Sequence, residues 1–481
     1  MQHLSIPAIV FVSDLLFKLL MIAVLLLSKK KSDSAKIAWM ILIIALPFVG
    51  TAVYLLIGTR RLGSRRRKRN RAIMQEIPQN ISCHIQNPKL HAHTQVQKYK
   101  SVAHIAQAIG GSEVLPGNSA KLIQESDVFI ENLVNDIANA EKHCHILSYI
   151  MLNDQAGDDV SAALITAAER GVTCRLLLDS LGSKEFLQSS TCDELRNAGV
   201  HVTAALPANL LRAFFARVDL RNHRKISVID NTIGYMGSNN IAEKAFAIKP
   251  KFAPWVDASV RLTGPIVREL QAIFVQDWCL DTNDDLDAIL KESIEIDEKG
   301  LPAQLMPTGP NSNNLALSQL LQTTFFSAQK KLVITTPYFS PDDVTELALL
   351  IAAKRGVDTH LVLPAKNDSR LVQAASKSRY AMLLQAGVQI HEYEKGLLHA
   401  KTITFDNEVA LLGSANMDRR SLDLNFEVSM LVYDSNFTKE LLNLQESYMA
   451  QSRRVPVDIY RQWSIRQRLW QNAVSLIAPI L

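Results

Sequence analysis

"HRKISVIDNTIGYMGSNN" fills residues 223–240, and the same pattern returns as "HAKTITFDNEVALLGSAN" at 399–416. Each copy places Lys two residues after His, Asp five after Lys, Gly-Ser seven after Asp, and Asn two after Ser. "KISVID" (225–230) and "KTITFD" (401–406) alternate with period two, as a half-buried strand does, so His and Lys project from one strand face. Asp230 and Asp406 lie an odd step beyond the lysines, which points them elsewhere and gives them a structural part in the motif. "IGYMGS" and "VALLGS" read as second strands ending in a Gly that lets backbone approach closely. Ser238 and Asn240, or Ser414 and Asn416, then meet the preceding His and Lys. One copy makes half a polar site, and two copies facing each other make a whole one.

The repetition runs well beyond these stretches. "AAERGVTCRLLLDS" (167–180) parallels "AAKRGVDTHLVLPA" (352–365), and "NAGVHV" (197–202) parallels "QAGVQI" (385–390). Upstream, "HILSYIMLNDQAGDDV" (145–160) parallels "LVITTPYFSPDDV" (332–344), setting Tyr149 against Tyr338. Apolar β-branched runs alternate with amphipathic helical stretches, which implies an α/β fold of mixed sheets flanked by helices. We expect two pseudo-symmetric halves, 116–300 and 301–481.

The residue types suit an anionic phosphoryl substrate. Lys225, Lys401, Asn240 and Asn416 are donors able to surround phosphate oxygens and stabilise developing charge. One of His223 and His399 can attack phosphorus while the other protonates the leaving oxygen. A nucleophilic imidazole needs an acid that fixes its tautomer; Glu427 in "LNFEVSM" and Asp257 in "PWVDASV" stand at matching places. The lysines supply positive charge, so the chemistry calls for no metal and no cofactor. His143, His145, His201, His360 and His391 read as surface or satisfied histidines.

The first 60 residues are a different kind of sequence. Residues 7–27 and 37–58 are each apolar and near the ~20 residues that cross a bilayer core, so we expect a two-helix transmembrane hairpin. Asp14 and Lys18 inside the first are spaced to pair on one face. The loop 28–36 holds four lysines, and residues 60–71, "RRLGSRRRKRNR", hold eight Arg/Lys and no acid. The heavier side is expected in the cytoplasm, although the loop lysines oppose that arrangement. Residues 61–115 read as a basic juxtamembrane segment and a polar connector. The basic run beside a span reads as a contact with anionic lipid rather than nucleic acid. Lys and Arg total 52 against 47 Asp and Glu, an excess too small to mark a nucleic-acid binder. Five scattered cysteines with no C-x-x-C pair fit a reducing compartment and exclude a disulfide framework; Cys83, His84, His91 and His93 lack zinc-ligand spacing. "ANLLRAFFARVDLR" (208–221) and "RQWSIRQRLWQNAVSLIAPIL" (461–481) mix apolar residues and Arg and are candidates for the membrane interface.

The doubled H-x-K-x4-D-x6-G-S-x-N is the signature of the phospholipase D superfamily. With "LPFVGTAVYLLIG" near the N-terminus and "GLLHAKTITFDNEVALLGSANMDRRSLDLNFE" late in the chain, the whole sequence resembles the bacterial cardiolipin synthases of that superfamily. The resemblance implies a bacterial inner-membrane phosphatidyltransferase that joins two phosphatidylglycerol molecules into cardiolipin and releases glycerol through a phospho-histidine. It assigns the paired catalytic roles to His223, Lys225, His399 and Lys401 with the motif residues Asp230 and Asp406. Ser238, Asn240, Ser414 and Asn416 bind phosphate, and Asp257 and Glu427 support the histidines. His223 is expected as nucleophile and His399 as acid/base. The same residues would serve a membrane-anchored phospholipase D using water, so the motif leaves that alternative open. A nuclease would need a basic, aromatic-lined groove, and a decayed scaffold would have lost a histidine. The segment "NNIAEKAFAIKPKF" after the first motif departs from the family pattern and leaves the acceptor surface there undefined.

Overall fold

The computed structural model describes residues 6–28, 33–58, 66, 68–70, 94–207, 217, 219–246, 248–291, 300–310 and 315–477. It divides into two compact units, one of residues 1–68 with 208–220, the other of 69–207 with 221–481. Cys83 to His93, most of the basic run 60–71 and most of 208–221 lie outside the described residues.

In the larger unit the first half contributes strands β1 (Leu115–Ile123), β2 (His143–Ser148), β3 (Thr173–Asp179), β4 (His201–Ala205), β5 (Ile226–Ile229), β6 (Ile233–Gly237), β7 (Trp255–Val256) and β8 (Ser259–Thr263). The second contributes β9 (Leu301–Thr308), β10 (Lys331–Thr335), β11 (Phe339–Ser340), β12 (Asp358–Pro364), β13 (Gln389–Tyr393), β14 (Leu397–Leu398), β15 (Thr402–Phe405), β16 (Val409–Gly413), β17 (Met417–Asp418), β18 (Glu427–Val432) and β19 (Ser452–Arg454). Among the described residues, fifteen of these make one mixed sheet. Outward from the joint, the order is β1-β8-β6-β5-β2-β3-β4 on one side and β9-β18-β16-β15-β10-β12-β13 on the other, with β19 beyond. Each strand of one half has its counterpart at the same step in the other. The two halves of the sequence repeat thus share one continuous sheet through the antiparallel pair β1–β9, where Leu115 faces Ala303.

The pattern of pairing follows from the connections. β2, β3 and β4 pair in parallel, as do β10, β12 and β13, because a helix crosses between successive strands. The helix Gln155–Glu169 starts at Asp154, whose carboxylate accepts from Gly157 N–H, and the helix Asp343–Lys354 starts at Asp342, which accepts from Val344 and Thr345. Such caps satisfy donors that the first turn leaves over. β5–β6 and β15–β16 are antiparallel hairpins. Their turns hold Asp230-Asn231 and Asp406-Asn407, all with positive φ between 51° and 59°, a conformation that Asp and Asn tolerate better than other side chains.

Helices Ile266–Asp281 and Ser435–Ala450 lie against the sheet near the joint. Phe274, Trp278, Leu441 and Tyr448 pack there in one core with Leu262, Ala303, Val428 and Met430. Each fully buried large apolar side chain adds on the order of 2 kcal/mol of hydrophobic stabilisation. Residues 94–98 and 100–110, read from sequence as connector, form helices that bury Val96, Tyr99, Val102 and Ala106 in the second half's core. The helical spacing of those four was masked by the polar residues between them.

In the smaller unit, α1 (Ile6–Leu26) is followed by α2 (Asp33–Ala45) and α3 (Pro47–Ile57). The stretch 37–58 is therefore not the single spanning helix expected. Leu46 leaves the helical region (φ −135°, ψ 74°) ahead of Pro47, which has no N–H to continue the ladder. At 13 and 11 residues, α2 and α3 reach roughly 20 and 16 Å, short of the ~30 Å hydrocarbon core. Among the described residues no helix is long and apolar enough to cross a membrane. The salt bridge Asp14–Lys18 forms at 2.7 Å.

Candidate active site

Both histidines emerge just ahead of a hairpin strand, and both are held by the opposite half. Backbone N–H of His223 donates to Phe426 O (2.9 Å), and Phe426 N–H donates to Arg221 O. In the mirror position His399 N–H donates to Val256 O (2.7 Å), where β14 pairs with β7. The residue following each of these anchors is the acid. Glu427 therefore comes from half two to meet His223 Nδ1 at 3.0 Å, and Asp257 comes from half one to meet His399 Nδ1 at 2.6 Å. A carboxylate only accepts, so Nδ1 carries the proton and Nε2 keeps its lone pair.

Ser238 Oγ donates to Asp257 (2.6 Å) and Ser414 Oγ to Glu427 (2.5 Å). Each serine follows a glycine where strands run too close for a side chain. A Cβ on Gly237 would stand 2.3 Å from Ser259 Oγ, and one on Gly413 2.2 Å from Val428 O. Lys225 Nζ donates to His223 O (2.8 Å), and Lys401 Nζ to His399 O (2.6 Å). Asn240 and Asn416 are both buried, each with a side-chain oxygen that meets no partner within the protein. The structure thus joins eight of the twelve sequence-named residues in one hydrogen-bonded constellation.

Asp230 and Asp406 stand at the other end of their strands. Asp230 accepts N–H bonds from Glu141, Lys142 and His143, and Asp406 from Gln329, Lys330 and Lys331. Each pins the start of the neighbouring antiparallel strand, β2 or β10, to the hairpin. The two aspartates therefore stand apart from the catalytic set to which the resemblance assigned them and take the part that strand parity suggests.

Burial governs the electrostatics. His223, Lys225, His399 and Lys401 are each at most 8% exposed. Loss of solvent, with the lysines adding to it, pushes both imidazoles down to about 4 against the pull of their carboxylates, so both are neutral at neutral pH. Burial also lowers Lys225 to about 8 and takes Lys401 well below its ordinary value. It works against ionisation of Asp257 and Glu427, but their histidine partners, the lysines and the serine hydroxyls outweigh it and keep both carboxyls below the ordinary range. Lys401 lowers the pKa of His223 and Lys225 that of His399, so the two half-sites share one field.

Several residues were missed in the sequence. The ring of Tyr149 lies edge-on to His223 at 4.8 Å, and Trp255 packs on His399 at 4.7 Å. Phe246, from the divergent segment after the first motif, stacks on Trp255 at 3.9 Å, inside an apolar cluster with Leu152, Ala242 and Leu397. Arg224 bonds Asp277 through two contacts of 2.7 and 2.8 Å, and also donates to Glu427 O and Thr308 O. Asp277, set between the apolar residues Phe274, Val275, Trp278 and Cys279 of the helix Ile266–Asp281, was the available signal. Elsewhere, His145 stacks on Phe274 at 4.7 Å and bonds Gln271, while His360 and His391 bond each other at 3.1 Å.

The family described as "Cardiolipin synthase, PLD-like domain" matches residues 133–278 and 321–448, the two segments that carry this constellation. The chain belongs to that family. A second family, "Phospholipase_D-nuclease N-terminal", matches 15–58. Cardiolipin synthase A of Salmonella arizonae is 34% identical over 467 residues, and that of Escherichia coli O1:K1 / APEC 35% over 467; both alignments cover 95% of each chain. Cardiolipin synthase A of Yersinia pseudotuberculosis is 34% identical over 462 residues, again with 95% coverage of both chains. The fold is also that of a phosphatidylserine synthase from Haemophilus influenzae, at TM-score 0.59 and 16% identity, covering 80% of this chain and all of that one. In this cardiolipin synthase family member, then, the doubled motif folds into one site with crossed acid partners.

Proposed function

We propose that the chain makes cardiolipin from two molecules of phosphatidylglycerol at the bacterial cytoplasmic membrane, and that its phosphatidyltransferase activity passes through a phospho-histidine. The observation that carries this reading is the crossed pair of histidine–carboxylate contacts beside two buried lysines. His223 Nε2 attacks the phosphorus of the first lipid. The P–O bond to the headgroup glycerol breaks, and His399 delivers a proton to the departing oxygen. Glycerol leaves and the phosphatidyl group stays on His223. The free headgroup hydroxyl of a second phosphatidylglycerol then gives its proton to His399 and attacks the same phosphorus. The P–N bond breaks and cardiolipin is released.

The pKa directions suit both steps. His223 is neutral and nucleophilic before substrate arrives. An anionic phosphodiester between the lysines favours imidazolium, which raises His399 toward the protonated state it needs. Exchange of one phosphodiester for another is nearly thermoneutral, so no nucleotide is required. Asn240, Asn416 and both lysines offer donors to the phosphoryl oxygens. Tyr149, Trp255 and Phe246 give the histidines apolar walls, which disfavour water as acceptor.

The test is mass-spectrometric product analysis of the purified protein in phosphatidylglycerol vesicles with EDTA present, beside His223→Ala and His399→Ala. Cardiolipin plus glycerol, lost in both variants, is expected. Phosphatidic acid plus glycerol would replace the synthase by a phospholipase D that uses water.

A further inference from the structure

The break at Leu46–Pro47 reverses the chain. Trp39 of α2 and Tyr54 of α3 are fifteen positions apart, which is about 22 Å along an unbroken helix, yet their rings meet at 5.3 Å. A Cβ on Gly50 would stand 2.6 Å from Leu42 O and 3.1 Å from Ile43 Cα, so glycine lets the two helices close on each other. α2 and α3 are the arms of a tight helical hairpin. At its apex Leu46 N–H still bonds Leu42 O and Gly50 N–H bonds Leu46 O, while proline removes a donor. The bend therefore leaves few backbone groups to solvate, as hydrocarbon demands.

The outside of this hairpin is apolar. Ile37, Ile41 and Ile44 on one arm, Leu55 on the other, and Leu46, Phe48 and Val49 at the apex are all exposed, Phe48 at 72%. Its inside packs on α1 through Met21, Leu25, Ile43 and Tyr54. Phe17 stacks on Phe48 at 5.6 Å, so the apex reaches the level of Phe17, about 14 Å back along α1 from its end at Leu26. Charge decides how such an element sits. Lys29, Lys30, Lys31 and Lys36 are found up to the first turn of α2, and eight Arg/Lys follow α3 within 60–71. A crossing segment would put these two basic clusters on opposite faces of the bilayer, against the strong bias toward one face. A hairpin puts both on the same face.

We propose that residues 33–57 form a re-entrant hairpin, which enters one leaflet with Leu46, Phe48 and Val49 leading and returns to the same anionic face. Trp39, only partly buried against that cluster, sits between the basic base and the apolar apex, where an aromatic side chain favours the interface. The occupant of the exposed apolar surface is the acyl region of that single leaflet. This seating goes beyond the proposed activity, and its test does not depend on turnover.

The experiment uses the full chain with Cys83→Ser, the other four cysteines being buried. Ser34→Cys, Ser64→Cys and Val49→Cys are introduced singly and labelled with a membrane-impermeant maleimide in sealed right-side-out and inside-out vesicles. Ser34→Cys and Ser64→Cys are expected to react from the same face, and Val49→Cys from neither until detergent is added. Reaction of the first two from opposite faces would mean that the segment crosses, and would overturn the proposal. Reaction of Val49→Cys without detergent would overturn it too, by placing the apex in water.

Discussion

The two halves repeat each other strand for strand around the site, but they do not surround their histidines alike. His399 is held by the shorter acid, Asp257, at 2.6 Å, against the tilted ring of Trp255 and next to the small Ala400. His223 is held by Glu427 at 3.0 Å, beside Tyr149, and its neighbour is Arg224, locked to buried Asp277. Backbone geometry is what the repeat preserves, because two strands, a Gly-Ser close approach and an Asp-Asn turn are needed to aim each His and Lys. The surroundings differ, and the proposed division into one nucleophile and one acid/base draws on that difference between two equal frames.

The largest effect that tests this division is at the histidines. His223→Ala and His399→Ala should each lower transfer by about 10⁴-fold or more. A covalent lipid adduct trapped by a denaturing quench at neutral pH, where the P–N bond survives, should persist in His399→Asn and vanish in His223→Asn; the opposite pattern would exchange the two roles. Next come the acids. Glu427→Gln and Asp257→Asn keep the shape but lose the charge that fixes the Nδ1–H tautomer, and each should cost about 10²–10⁴-fold in kcat. Equal sensitivity to a weaker leaving group in both variants would erase the asymmetry.

Arg224→Ala tests a feature that half one has and half two lacks. It leaves the Asp277 carboxylate, whose side chain is 1% exposed, with the neutral Asn222 donor but without its cation, so a loss of about 3–5 kcal/mol in unfolding free energy is expected. Denaturant titration reads it, and Arg224→Ala with Asp277→Leu should recover much of the loss. The smallest effect is on the pH profile. The Lys225 ammonium exists below about 8 and is lost above it, so kcat/KM should fall above that pH by up to about tenfold per unit. A profile flat to pH 10 would remove Lys225 from the charge balance.

Much of this was legible in the sequence, for reasons that the structure makes plain. Period-two alternation put His and Lys on one face, and repetition announced two equivalent frames. The odd step to Asp230 and Asp406 correctly separated them from the histidines, since they bind backbone N–H groups at the far end of the strand. Which acid serves which histidine was not legible. Glu427 and Asp257 follow residues that bond the opposite half's backbone, and only the closed sheet decides that exchange. Hydropathy likewise registered 37–58 as one apolar stretch, because a scale that averages side chains cannot see Leu46 leave the helix or Gly50 admit a neighbouring arm. Arg224 escaped notice because strand parity turned it away from the motif, and its partner lies 53 residues on.

The exchange of acids between halves changes what counts as a unit of inheritance. His223 and Glu427 stand 204 residues apart, and His399 and Asp257 142, yet each pair meets in one hydrogen bond. A Glu-to-Asp change at 427 would draw the carboxylate away from His223, not from His399 in its own half. Shuffling whole halves between relatives would therefore part every histidine from the acid it evolved with, while exchange of the two crossed segments would keep the partners together.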